Sequence, residues 1–201
     1  MSDLFDRLRR VFDEGHAAAP PELRYDSRFA VPERIRPAAV LIGVTDRPEP
    51  GVILTHRPLE MRDHAGQVAF PGGKIDPGED AIAAALREAH EELAIHPQHV
   101  RVIGATDRFV TGTGFEITPV LGFLPPNLSI APNPMEVSDW FEAPLRHVLD
   151  PANHIEKEAI FASGMRRYIE IDWNGHRIWG ITAAIIANLS RRLAWEDLVD
   201  G

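Results

Sequence analysis

Residues 72–95 read GGKIDPGEDAIAAALREAHEELAI, a helix with three acids crowded into its final turns. At about 100° per residue, Ile82, Leu86, Ala89 and Leu93 fall on one stripe, and Glu88, Glu91 and Glu92 fall on an opposite arc. The expectation is a helix that packs one face and presents three carboxylates on the other. Asp76, Pro77 and Glu79 supply an N-cap, a first-turn proline and a capping-box glutamate for a start there or a few residues later, and Pro97 bounds the other end. Like charges at i,i+4 cost about 0.2–0.5 kcal/mol, and acids near a helix C-terminus lose about 0.3–1 kcal/mol more to the dipole. Local stability would not select them. A divalent cation reverses the sign of both effects, because Mg²⁺ and Mn²⁺ prefer hard oxygen ligands; the alternative is a solvated acidic face.

The chain around this helix has 201 residues, 44% hydrophobic and 25% charged, which suits one globular domain. Residues 1–36 read as an N-terminal helix and a proline-rich connection, and residues 37–201 as the domain proper. No apolar run of about 18 residues and no charged-then-apolar leader is present, so a cytoplasmic protein without a membrane partner is expected. The absence of cysteine excludes disulfides and thiolate chemistry. A net charge of -9 predicts repulsion of nucleic acid, so an anionic substrate needs local help from arginine, lysine or a metal ion.

Along the chain, Leu4, Leu8, Val11 and Phe12 stand at helical spacing within residues 2–14. Residues 38–44 and 52–55 read as strands separated by the turn signal RPEPG, and residues 100–106 and 117–123 as strands around the loop TGTG. Residues 167–179 read as a hairpin turning at Asn174-Gly175, and residues 182–194 as a last helix. Strands and helices mingle without a regular βαβ repeat, which predicts an α+β or layered domain with a mixed sheet. The N-terminal helix either caps its own domain or mediates a homodimer.

Gly73, Glu79, Arg87, Glu88, Glu91 and Glu92 stand at spacings G-x5-E-x7-R-E-x-x-E-E, and this pattern resembles the signature of the Nudix hydrolases. Ala94 stands where the family pattern has glycine. The resemblance implies an α/β/α sandwich and a metal-dependent hydrolase of diphosphates. It makes Glu88, Glu91 and Glu92 metal ligands for Mg²⁺ or Mn²⁺, with one of them or an outside glutamate deprotonating the attacking water. It makes Arg87 and Glu79 a bracing pair, and lets the Gly72-Gly73 backbone approach metal or phosphate. Lys74 either contacts phosphate or is solvated. Glu136, in the proline-bounded segment NPMEV, is either an extra ligand or base or an exposed loop acid.

Upstream, residues 53–73 read ILTHRPLEMRDHAGQVAFPGG. The pattern L-T-x-R-x4-R-x3-G-x3-F-P-G-G resembles the segment that marks the coenzyme A pyrophosphatase branch. That resemblance makes Arg57 and Arg62 substrate-binding residues, because arginine can hold phosphate through paired hydrogen bonds. Phe70 reads as core. The expected substrate is coenzyme A or a derivative, cleaved to 3′,5′-ADP and 4′-phosphopantetheine or its acyl form. The alternatives are ADP-ribose or another nucleoside diphosphate derivative, and a regulatory nucleotide-binding module. The complete glutamate set stands against the last of these.

Overall fold

The structure, a computed structural model, describes residues 3–19, 35–59, 65–161 and 164–193. Helix α1 (Asp3–Ala17) leads to strands β1 (Arg36–Thr45), β2 (Gly51–His56), β3 (Val68–Ala69) and β4 (Gly72–Lys74), then helix α2 (Ala81–Leu93). Strands β5 (Arg101–Ala105), β6 (Phe109–Val110), β7 (Phe115–Leu124) and β8 (Asp139–Pro144) follow, with helix α3 (Leu145–Leu149) after them. The chain ends in β9 (Ile155–Phe161), β10 (Gly164–Trp173), β11 (His176–Trp179) and helix α4 (Ile181–Leu193).

Strands β1 and β7 are apolar at nearly every inner position, the pattern of strands covered on both faces. They pair in parallel along their whole length, from Arg36 opposite Phe115 to Thr45 opposite Leu124, while their other neighbours run antiparallel. Strand β1 shares its second edge between β4 near its start and β2 near its end. Alternation then builds two cores. Ala39, Leu41, Ile53, Val120 and Leu124 point towards α2; Val40, Ile42, Leu54, Leu121 and Phe123 point towards α1 and α4. The result is an α/β/α sandwich around a mixed sheet, as the sequence predicts.

The predicted N-terminal helix is present, and its Leu4, Phe5, Leu8, Val11 and Phe12 lie in the same core cluster as the sheet and α4. Each such side chain contributes about 1.5–3 kcal/mol when fully buried. Arg192 of α4 donates Nη1 to the Gly15 carbonyl at 3.0 Å and pairs with Asp107 through Nε and Nη2, tying the end of α1 to α4 and the segment after β5. The β10–β11 hairpin turns at Asn174 and Gly175, with φ of 49° and 82°, the positive pair that a type I′ turn requires. Strands β3, β4, β6, β8 and β9 were not predicted. Among the described residues no helix is long and apolar enough to cross a membrane.

Strands β9, β10 and β11 form a second, antiparallel sheet, joined to the first where His56 Nε2 lies 2.9 Å from His176 Nδ1. The Phe141 ring stacks on His176 with centroids 3.8 Å apart. Burial first, then the nearness of His176, holds the His56 pKa below its ordinary value of 6.5, against opposing effects of the Gly66 backbone and Asp139. The unfolded chain therefore binds this proton before the folded chain does. The contribution to stability is present above pH 6.5 and lost as pH falls through the lowered folded value. His56→Gln is expected to flatten the fall in melting temperature between about pH 6.5 and 5. An equal acid limb in both proteins, measured by thermal unfolding, would assign that limb to other groups.

Candidate metal centre

The acidic helix begins later than its first cap signal. Asp80, with φ -93° and ψ 172°, is the N-cap, and its side chain accepts from the Ala83 amide at 2.8 Å. Asp76 and Glu79 instead close a turn of their own: the Glu79 amide donates to the Asp76 carbonyl at 3.0 Å, and the Asp76 amide donates to Glu79 Oε2 at 3.1 Å. At the other end Ala94 takes the left-handed conformation, φ 56°, that glycine would adopt at lower cost, and the Ile95 amide reaches back to the Ala89 carbonyl.

The packed face of α2 also differs from the expected stripe. Ala84, Ala85, Ala89, Glu92 and Leu93 are buried, whereas Ile82 and Leu86 are only half-buried. Positions 85, 88, 89 and 92 follow the i, i+3, i+4, i+7 rule, so Glu88 and Glu92 lie on the face turned towards the sheet. The expectation that all three carboxylates lie opposite the packed face is therefore corrected. Only Glu91 is exposed, and small alanines let the helix lie close enough to carry two acids inward.

Strand β4 receives them. Pairing of Ala39 with Gly73 and Val40 with Gly72 lays the double glycine along β1. A Cβ on Gly72 would meet the Ala39 carbonyl and Val40, and one on Gly73 would meet the Glu88 carboxylate. The Gly72 amide donates to Glu92 Oε2 at 3.3 Å. From the far side comes Glu136, on the loop between β7 and β8. One carboxylate oxygen from each of Glu88, Glu92 and Glu136 lies within 4.8 Å of the other two.

Burial, then the charge of Glu88, raises the Glu92 pKa to about 8, against the Gly72 hydrogen bond. Burial also raises the Glu88 pKa, and the Arg87 hydrogen bond and charge oppose it. Three converging carboxylates, one of them held by a backbone amide inside the protein, are a donor set that fits a hard divalent cation such as Mg²⁺ or Mn²⁺. Such a cation would supply the charge that the cluster lacks.

Arg87 lies beside the cluster. Its Nε donates to Glu79 Oε1 at 2.8 Å and its Nη2 to Glu79 Oε2 at 3.1 Å, a two-pronged pair. The remaining donors reach the Lys74 carbonyl at 3.0 Å, Glu88 Oε1 at 3.0 Å and Glu91 Oε2 at 3.1 Å. The Glu79 bond is the first cause of both shifts: Arg87 is held far above its ordinary pKa and Glu79 below its own. Arg87 thus joins strand β4, the Asp76–Glu79 turn and two glutamates of α2.

Of the residues singled out in the sequence, Glu88, Glu92 and Glu136 come together, while Glu91 lies outside the cluster as a partner of Arg87. Gly72, Gly73, Glu79 and Arg87 surround the cluster. Lys74 has its carbonyl on Arg87 and is exposed. Arg57 stands just past β2, half-buried, its Nε enclosed without a hydrogen-bond partner among the described residues and its charge among the influences on Glu92. Arg62 lies outside the described residues. Phe70 is core. Sequence reasoning missed Asn133, whose side-chain amide donates to Glu136 Oε1 at 3.0 Å. An asparagine between two prolines signals a turn, but it does not say which side chain the turn holds.

Comparison with known proteins bears on the family and the fold. The family model described as the NUDIX domain matches residues 34–163. An uncharacterized Nudix hydrolase, NudL, of Salmonella paratyphi B is 45% identical over 160 residues, spanning 79% of this chain and 83% of that protein. The structure of DR0079 from Deinococcus radiodurans superposes with a TM-score of 0.50 at 15% identity, over 83% of this chain and 88% of that one, a likeness of fold. RenU, a Nudix hydrolase of M. smegmatis, covers 56% of this chain and 73% of its own at 26% identity, with a TM-score of 0.49.

Proposed function

The chain belongs to the Nudix hydrolase family, and within it we propose a metal-dependent hydrolase of the diphosphate of coenzyme A or its acyl derivatives, releasing 3′,5′-ADP and 4′-phosphopantetheine or its acyl form. The observation that carries the chemistry is the convergence of Glu88, Glu92 and Glu136 beside the Gly72-Gly73 strand. A bound divalent cation neutralises diphosphate charge and lowers the pKa of a coordinated water towards neutrality. The chain's own part follows from its geometry. Glu88, Glu92 and Glu136 would hold the cation, and a carboxylate of the cluster would accept the proton of the attacking water. Arg87 keeps β4 and α2 at fixed spacing through Glu79 and the Lys74 carbonyl. The absence of a Cβ at Gly73 leaves room for Glu88.

The substrate reading is supported by the segment that contains Arg57. Its half-buried guanidinium carries positive charge that reaches Glu92, and an anionic group of the substrate is a fitting partner for such a charge. In a protein of net charge -9 such a donor beside the cation counts for more than distant charge. Incubation of the protein with coenzyme A, 3′-dephospho-coenzyme A and ADP-ribose, with Mg²⁺ or Mn²⁺ and with chelator, followed by mass spectrometry, tests the reading. Metal-dependent release of 3′,5′-ADP in preference to the other cleavages supports it. Preferred turnover of ADP-ribose removes the substrate assignment and keeps the metal centre; no turnover of any substrate favours a binding module.

With Arg57 read as a partner of the 3′-phosphate of coenzyme A, Arg57→Ala is expected to lower kcat/KM for coenzyme A about 10- to 100-fold, the loss of one charged hydrogen-bonding group, and to affect 3′-dephospho-coenzyme A less. Equal losses on both substrates would move Arg57 from the 3′-phosphate to the diphosphate itself.

A further inference from the structure

Glu136 reaches the cluster from a loop, and a loop alone holds a side chain less firmly than a helix does. Its hydrogen bonds show what fixes this one. The Ala131 amide donates to the Leu93 carbonyl at 3.0 Å and the Asn133 amide to the Glu92 carbonyl at 2.8 Å, so the loop satisfies carbonyls that the last turn of α2 leaves open. The Glu136 and Val137 amides both donate back to the Asn133 carbonyl, at 3.0 and 2.8 Å.

The Asn133 side chain completes the turn. Its Oδ1 accepts from the Met135 amide at 3.2 Å, which directs its Nδ2 to Glu136 Oε1 at 3.0 Å. Pro132 and Pro134 flank it and restrict its freedom to unwind. One residue therefore bonds the main-chain carbonyl of Glu92 and the carboxylate of Glu136, touching two of the three residues that form the cluster.

We propose that Asn133 is the positioning residue of the cation site, fixing the rotation of the Glu136 carboxylate relative to α2 so that it meets Glu88 and Glu92 ready for ligation. This rests on the reading of those three glutamates as the cation ligands. Residues that orient metal ligands typically govern about 10- to 100-fold in metal affinity.

The test uses full-length variants and Mn²⁺ alone, with free Mn²⁺ read by electron paramagnetic resonance and folding by melting temperature in chelator. Asn133→Ser keeps a hydroxyl to accept from the Met135 amide and loses the donor to Glu136. It is expected to weaken Mn²⁺ binding about tenfold with little change in the chelated melting temperature. Asn133→Asp keeps the turn's acceptor and sets an oxygen where the donor stood, and is expected to weaken Mn²⁺ binding as well. In a Glu136→Gln background, Asn133→Ser should change Mn²⁺ affinity less than about twofold, because the group it positions is gone. Equal weakening in both backgrounds, or unchanged or tighter binding in both single Asn133 variants, overturns the proposal and leaves the ligand reading standing. Unchanged Mn²⁺ affinity in Glu136→Gln itself overturns the ligand reading of Glu136, and this proposal with it.

Discussion

Glu92→Gln is expected to lower kcat/KM for the diphosphate substrate by about a thousandfold, and at the same time to stabilise the metal-free protein at high pH. On the proposed reading of Glu92 as a ligand, the loss follows from removing one anionic group from a cation whose contribution to transition-state charge is several kcal/mol, each about 1.4 kcal/mol being tenfold in rate. The gain follows from burial. Glu92 is 7% exposed, and its pKa stands at about 8 in the absence of metal, so the folded chain holds a proton there that the unfolded chain releases near pH 4.5. A raised carboxyl pKa gives a contribution that is fully present below pH 4.5 and lost as pH rises through about 8. Above that, the wild-type protein in chelator carries a buried charge and the glutamine variant does not.

The variant's melting temperature in chelator should exceed the wild-type value by several degrees at pH 9, at about 2–4 °C per kcal/mol for a chain of this size, and converge on it towards pH 5. Added Mn²⁺ should raise the melting temperature of the wild type far more than that of the variant. A glutamine variant less stable than wild type at every pH, with or without chelator, would show that Glu92 is held by something other than a cation. The same comparison on Glu91→Gln separates the two neighbours. Glu91 lies outside the cluster, so its loss should act through the Arg87 contact and reduce turnover far less.

How much of this was legible in the sequence depends on what each element needs from elsewhere. The long central strands, the amphipathic helix α1 and the hairpin at Asn174-Gly175 are set by local periodicity and turn chemistry, and they stand where the sequence places them. Strand β9 was missed because it is an outer strand of the smaller sheet and reads I-E-K-E-A-I-F; with charged residues exposed, its alternation marks no core face. Strand β4 is three residues long, two of them glycine, and exists because β1 and Glu92 supply its partners. Within α2 the spacing fixed an acidic arc, but spacing alone does not say which edge of an arc turns inward. That was decided by Ala85 and Ala89, which let the helix approach the sheet and take Glu88 and Glu92 with it. Glu136 lies far from α2 in the chain, and hydrogen bonds from Ala131 and Asn133 to the end of α2 bring it in.

Gly73→Ala is expected to lower kcat/KM about 100-fold or more with only a modest loss of stability. The backbone of Gly73 has no positive φ to lose, so alanine brings no conformational strain of its own. Its methyl group would occupy the space of the Glu88 carboxylate, which must swing away from Glu92 and Glu136 or push β4 outward. Overpacking of this kind typically costs about 1–3 kcal/mol, but a ligand displaced by about an ångström costs far more in catalysis. Two further variants isolate the cause. Gly78→Ala, at φ 90° with open space around it, should lose stability through backbone strain and keep its turnover. Adding Glu88→Asp to Gly73→Ala shortens the displaced side chain by one methylene and should recover part of the lost Mn²⁺ affinity, although the same change alone weakens it. If Gly73→Ala turns over normally, or if the shorter acid makes it worse, Glu88 does not depend on the gap above Gly73, and the close approach of strand and helix has no part in holding the metal centre.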